Sequence, residues 1–214
     1  MPHPDSKTRR QPVWIALIAL IAASLLGYFS PWLPHRAAGL VITGLDLPEY
    51  VKFVPQIASG AVDIIREVFL LPLVIASLGL TLIASRRRLP VWARTAVLIG
   101  SLVAAFAILP PAWTPASLLT QEYLWQTIVL LACVGFSFLL PLLNLFPSRL
   151  VLIILALLSL GCLLPTSISF YMVRPPIADL YTQSLGVGWG FWLWAAATLL
   201  QSVVCMAELL RRGW

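Results

Sequence analysis

Six apolar stretches, most of them close to twenty residues long, limit what this chain can fold into more than any motif does. A helix needs about 20 apolar residues to cross a hydrocarbon core roughly 30 Å thick. A transmembrane barrel shows shorter segments of alternating polarity instead. Composition agrees with the helical reading. Only 10% of the 214 residues are charged and 60% are hydrophobic, whereas a soluble domain carries about 25% charged residues to coat its surface. The sequence therefore implies an all-α, polytopic transmembrane helix bundle forming a single integral membrane domain over residues 1–214.

The expected spans cover residues 13–30, 68–85, 92–109, 124–146, 150–173 and 188–209. Arg86-Arg87-Arg88-Leu89-Pro90, Pro110-Pro111, Pro147-Ser148-Arg149 and Arg174-Pro175-Pro176 punctuate the boundaries. The first run follows Lys7, Arg9 and Arg10, as a signal peptide would, but is too long for one and reads as an uncleaved helix. With the N-terminus inside, ten basic residues fall on the inner face (Lys7, Arg9, Arg10, Arg86, Arg87, Arg88, Arg94, Arg149, Arg211 and Arg212). Four fall outside: Arg36, Lys52, Arg66 and Arg174. That imbalance satisfies the positive-inside rule and predicts both ends in the cytoplasm. Tryptophans near the span ends give a matching aromatic belt: Trp14, Trp92 and Trp214 inside; Trp32, Trp113, Trp125, Trp189, Trp192 and Trp194 outside.

The net charge of +6 sits in short clusters beside apolar runs, which is an orientation signal and not a phosphate-binding face, so nucleic acid is excluded as a partner. Twelve of the fourteen basic residues are arginine, a bias that reflects genome composition more than function. The expected location is a cell membrane of the bacterial cytoplasmic type. Cys133, Cys162 and Cys205 lie within apolar runs without paired spacing and read as small hydrophobes.

Several intramembrane chemistries are excluded by the residue inventory. The two histidines, His3 and His35, and the two lysines, Lys7 and Lys52, all lie outside the apolar runs. This removes a bis-histidine haem, a serine–histidine pair and a retinal-type Schiff base from the helices. No His-Glu-x-x-His zinc motif or Walker-type glycine loop occurs. No enzyme activity, cofactor or metal is expected.

Three features remain as candidates. Asp63, Arg66 and Glu67 have helical spacing for mutual pairing at the outer start of the second span, either as an anchor or as a vestibule for a polar solute. In the external loop, residues 34–62, Asp46 and Glu49 have the spacing of a capping box. Leu47, Tyr50, Val51 and Val54 share one face there, suiting a short amphipathic piece on the membrane or a packed plug. Last, polar residues recur at steps of three or four on the final three helices. Gln126, Cys133, Ser137 and Asn144 share a face on the fourth. Ser159, Cys162, Thr166 and Ser169 do so on the fifth, and Thr198, Gln201, Cys205 and Glu208 on the sixth. Such seams pack helices together. They also admit a polar cavity with Gln201 and Asn144 as main contacts and Gln126, Thr166 and Thr198 beside them. Ala19, Ala23 and Gly27 form a small-residue strip on the first helix.

Phe69-Leu70-Leu71-Pro72-Leu73 recurs as Phe138-Leu139-Leu140-Pro141-Leu142, at depths too different for a structural repeat. The hairpins around Pro110-Pro111 and Pro175-Pro176 are more alike, each followed by Thr-Gln, and admit a duplication. The expected function is that of a non-catalytic membrane subunit, scaffold or assembly component whose partners are lipid and other membrane chains. The alternative is a channel or transporter for a small or lipid-like solute.

Overall fold

The computed structural model describes residues 11–35, 37, 41–87, 89–110, 113–181 and 184–211. Among the residues singled out above, His3, Lys7, Arg9, Arg10, Arg36, Arg88, Pro111, Thr182, Gln183, Arg212 and Trp214 lie outside that set. Six long apolar helices form the body: α1 (Gln11–Tyr28), α4 (Leu71–Ala84), α5 (Val91–Phe106), α6 (Leu124–Phe138), α8 (Ser148–Leu180) and α9 (Trp189–Arg211). Short helices α2 (Leu47–Tyr50), α3 (Pro55–Ala58) and α7 (Leu140–Leu143) lie between them, with a two-residue-deep antiparallel pair, β1 (Pro31–Leu33) and β2 (Ile42–Thr43). Among the described residues, three helical stretches are long and apolar enough to cross a membrane: Arg66–Ala84, Ser148–Leu180 and Trp189–Arg211.

Side-chain contacts give the direction of each helix. Ser24 of α1 meets Thr198 of α9, and Gly27 lies against Gly190 and Trp194, so α1 and α9 are antiparallel. Arg94 reaches Ala84 while Ser101 reaches Ser77, so α4 and α5 are antiparallel. Thr81 meets Ser137 and Glu67 lies across a groove from Gln126, so α4 and α6 run together. Ser202 reaches Ala156, which opposes α8 to α9. The helices thus alternate in direction, with the start of α1 and the end of α9 at the same end of the bundle. The core follows this division. One cluster holds Trp14, Leu17, Leu152 and Cys205 at that end; the other holds Tyr28, Trp32, Phe170 and Phe191 at the opposite end.

The hub is α4, which packs against α1, α5, α6 and α8. It begins after a 3-10 turn, Arg66–Leu70, with Pro72 in its first turn, where a missing N–H costs nothing. The second copy of the Phe-Leu-Leu-Pro-Leu pentapeptide does the same local work. The expected fourth span, 124–146, is broken at Leu139, and α7 restarts with Pro141 in its first turn. Despite their different depths, both pentapeptides restart a helix at the leucine immediately before proline. The expected end of the fifth span at Val173 moves outward, because α8 runs through Pro175 and Pro176 to Leu180. The carbonyls those prolines leave unbonded belong to Tyr171 and Met172, both on the exposed face. Pro110, by contrast, follows the end of α5, so the two proline hairpins are not built alike.

Residues 41–62 of the long loop fold onto the bundle as a plug. Leu47, Val51 and Val54 are fully buried in the core cluster. Asp46 does not cap α2; its carboxylate accepts from Thr43 N (2.9 Å) and Thr43 Oγ1 (2.7 Å), tightening the turn after β2. The tryptophans also depart in part from a simple belt. Trp92, Trp113, Trp125, Trp189 and Trp192 are exposed, but Trp14, Trp32 and Trp194 are fully buried. Trp32 donates to Gly27 O (3.0 Å) and stacks edge-on to Phe170 and Phe191 at 5.4 and 5.2 Å. A ring that finds both an indole acceptor and aromatic neighbours inside the protein has no need of the interface.

Candidate functional site

Each polar seam is turned inward, as polar side chains in apolar surroundings must be. The seams of α8 and α9 face a common centre, whereas that of α6 packs on α4 and α5. The five residues expected to share a cavity consequently occupy different places. Thr198 and Gln201 line a cavity of about 10 Å³ together with Ser24, Pro72, Ala76 and Cys162, room for about one water. The Gln201 Nε2 there has no partner in the protein. Thr166 lies one turn from Cys162 on the same face of α8, where its hydroxyl donates to Val68 O (3.2 Å). That carbonyl also accepts from Leu71 N–H, so the 3-10 turn and α8 share it. Gln126 stands at the end of the bundle where α4 begins, and Asn144 at the end where α4 finishes.

Between α4, α5 and α6 the hydroxyls bond to one another. Thr81 Oγ1 lies 2.7 Å from Ser101 Oγ and 3.0 Å from Ser137 Oγ, and Ser101 donates to Ser77 O (2.8 Å). Ser137 belongs to the recognised seam. Ser77, Thr81 and Ser101 escaped notice because single hydroxyls in a Leu-Ala-rich run carry no distinctive pattern.

At the end of the bundle holding Ala84, arginines cap helix carbonyls. Arg86 is buried and donates to Phe146 O (2.8 Å), to Leu143 O and to Ser85 Oγ (2.6 Å). Arg94 donates to Ala84 O (2.9 Å). Both place positive charge at the negative ends of helix dipoles.

The opposite end carries the richest charge cluster. The expected pairing of Asp63 with Arg66 on one helical turn does not form, because residues 63–65 are not helical and Asp63 is exposed. Arg66 instead donates through Nε to Glu67 (2.9 Å) and through Nη2 to Glu122 O (2.9 Å). Lys52 bridges Glu49 (2.6 Å) and Glu122 (2.9 Å) and sits 5.4 Å above the Tyr123 ring. Glu122 was not recognised from sequence; it lies seventy positions from Lys52, and only the plug brings them together. Burial pushes the Glu49 carboxyl above the usual carboxylate range, while Arg66 and the Gln126 amide pull it back. Below the cluster, an apolar groove of about 280 Å³ opens between the starts of α4 and α6, with Glu67, Gln126, Val68, Val74, Trp125 and Val129 in its walls.

Fold and site together define an all-α bundle with helices suited to a membrane, several of its internal hydroxyls joined helix to helix. No family model matches the chain, and neither a curated protein nor a solved structure matches it.

Proposed function

We propose that the chain is a multi-pass protein of a cell membrane, with six spans and both ends in the cytoplasm, acting as a non-catalytic subunit, scaffold or assembly component. Two features support the topology. The six apolar helices alternate in direction, and the described basic residues divide unequally. Arg86, Arg87, Arg94, Arg149 and Arg211 lie at the end holding the start of α1, against Lys52, Arg66 and Arg174 at the other. The longer helix α8 and the shorter α5 and α6 are accommodated by tilt and local thinning of the bilayer. Labelling of cysteines introduced at Arg87 and Asp179 tests the orientation. A membrane-impermeant maleimide added to intact cells should modify position 179 and spare position 87; the reverse pattern overturns the topology.

One observation carries the subunit reading: α6 packs on one side only. Its other flank, with Leu131, Phe138 and Leu139, is exposed along its length, and a Cβ at Gly135 would meet nothing within 4 Å. A small residue in an open apolar flank is where another membrane helix approaches closely. The test is purification in mild detergent with identification of stoichiometric companion chains. A solitary monomer that moves solute in liposomes would favour the second reading, a channel or transporter, for which the unpartnered Gln201 amide in its small cavity is the supporting observation.

A further inference from the structure

We propose that the groove between the starts of α4 and α6 is a binding site for a phospholipid with a primary ammonium headgroup, its acyl chain in the apolar trough and its N–H groups on Gln126 and Glu67. The inference stands whether the protein scaffolds or transports. At about 280 Å³ the groove is at the small end of ligand pockets, suited to a length of chain and not to a bulky solute. Its walls are Val68, Leu71, Val74, Val129 and the exposed Trp125 ring, a surface that matches hydrocarbon.

The polar end of the groove selects the headgroup. Gln126 is only 3% exposed, lines the groove, and its Oε1 has no partner. The Gln126 amide draws the Glu49 carboxyl back down, as a nearby N–H donor does, and its Oε1 is the acceptor left open. A buried acceptor left open in apolar surroundings costs several kcal/mol, so it calls for a donor from outside the chain. Charge points the same way. Three carboxylates, Glu49, Glu67 and Glu122, surround two cations, Lys52 and Arg66, leaving one negative charge beside the groove. An anionic headgroup is disfavoured there. A quaternary ammonium meets the charge but has no N–H for Gln126. A primary ammonium satisfies both.

The discriminating measurement is native mass spectrometry of the full chain in mild detergent, titrated with dioleoyl phosphatidylethanolamine, phosphatidylcholine or phosphatidylglycerol. One phosphatidylethanolamine should be retained per chain, about tenfold more tightly than phosphatidylcholine, the difference of one charge-assisted hydrogen bond. Phosphatidylglycerol should bind no better than phosphatidylcholine. Gln126→Leu should remove the preference, and Asn144→Leu, at the far end of α7, should keep it. Equal retention of the three lipids by the unmodified chain would overturn the proposal without recourse to any variant. So would an unchanged preference in Gln126→Leu, or a helix of a companion chain cross-linked into the groove through Trp125.

Discussion

Gly27→Leu is expected to lower the melting temperature of the detergent-solubilised protein drastically, or to prevent its folding. A side chain starting at Gly27 would place its first carbon 2.8 Å from Gly190 O and 2.9 Å from the Trp194 Cα. Those neighbours are backbone and cannot swing aside. Relief requires α1 and α9 to separate, and that contact is the broadest in the bundle. Separation would also pull Trp32, which follows α1, away from the Phe191 and Trp194 rings of α9. Overpacking costs about 1–3 kcal/mol where side chains can adjust, so a backbone clash at this seam should reach or pass the top of that range. Gly161→Leu, on the exposed face of α8, is the matched control. That position opens on empty space, and substitution there should change stability by about 0.5 kcal/mol or less. Equal melting of the two variants would show that α1 and α9 are not in close contact.

Arg86→Met should be nearly as damaging. The guanidinium joins the end of α4 to the end of α7 by donating to Leu143 O and Phe146 O, and Ser85 Oγ accepts from it as well. Each hydrogen bond from a charged donor contributes about 1.5–3 kcal/mol; Phe146 O would lose this donor, and Leu143 O would keep only the Phe146 N–H. A loss of about 3 kcal/mol or more is expected, with increased protease cleavage in the 144–147 turn. Arg86→Lys should recover only part of the loss, because a point charge cannot span acceptors that the planar fork reaches together. Arg87→Met, on an exposed neighbour, should be close to neutral. If Arg86→Met and Arg87→Met melt alike, the capping role is refuted.

Arg86 also shows what a sequence does and does not disclose. Its place in a basic cluster beside an apolar run was legible, and so was the end of the helix it follows. Its use as a cap for residues sixty positions away was not, because that depends on where α7 returns. The six helices were readable for a simple reason: apolar runs and prolines act locally. The inward faces of α8 and α9 were readable too, since Cys162, Thr166, Thr198 and Gln201 repeat at helical spacing. Periodicity identifies the buried face of a helix but not the helix that covers it. Gln126 and Asn144 therefore looked like companions of Gln201, although they sit at opposite ends of α6 and α7. Pro175 and Pro176 misled in the other direction. Two consecutive prolines usually end a helix, but the carbonyls they orphan lie on the exposed side of α8, so the helix passes through them.

The pairing of α1 with α9 has a consequence for biosynthesis. A ribosome releases α9 well after α1, with four other long helices made in between. During that interval the face of α1 carrying Ser24 and Gly27 lacks the α9 surface that later covers it, while α4, α5 and α6 can already join through Ser77, Thr81 and Ser101. Such long-range closure is slow and leaves sticky intermediates exposed. The nascent chain would thus wait, half assembled, for α9, and a chaperone or insertase that holds α1 would bridge that interval.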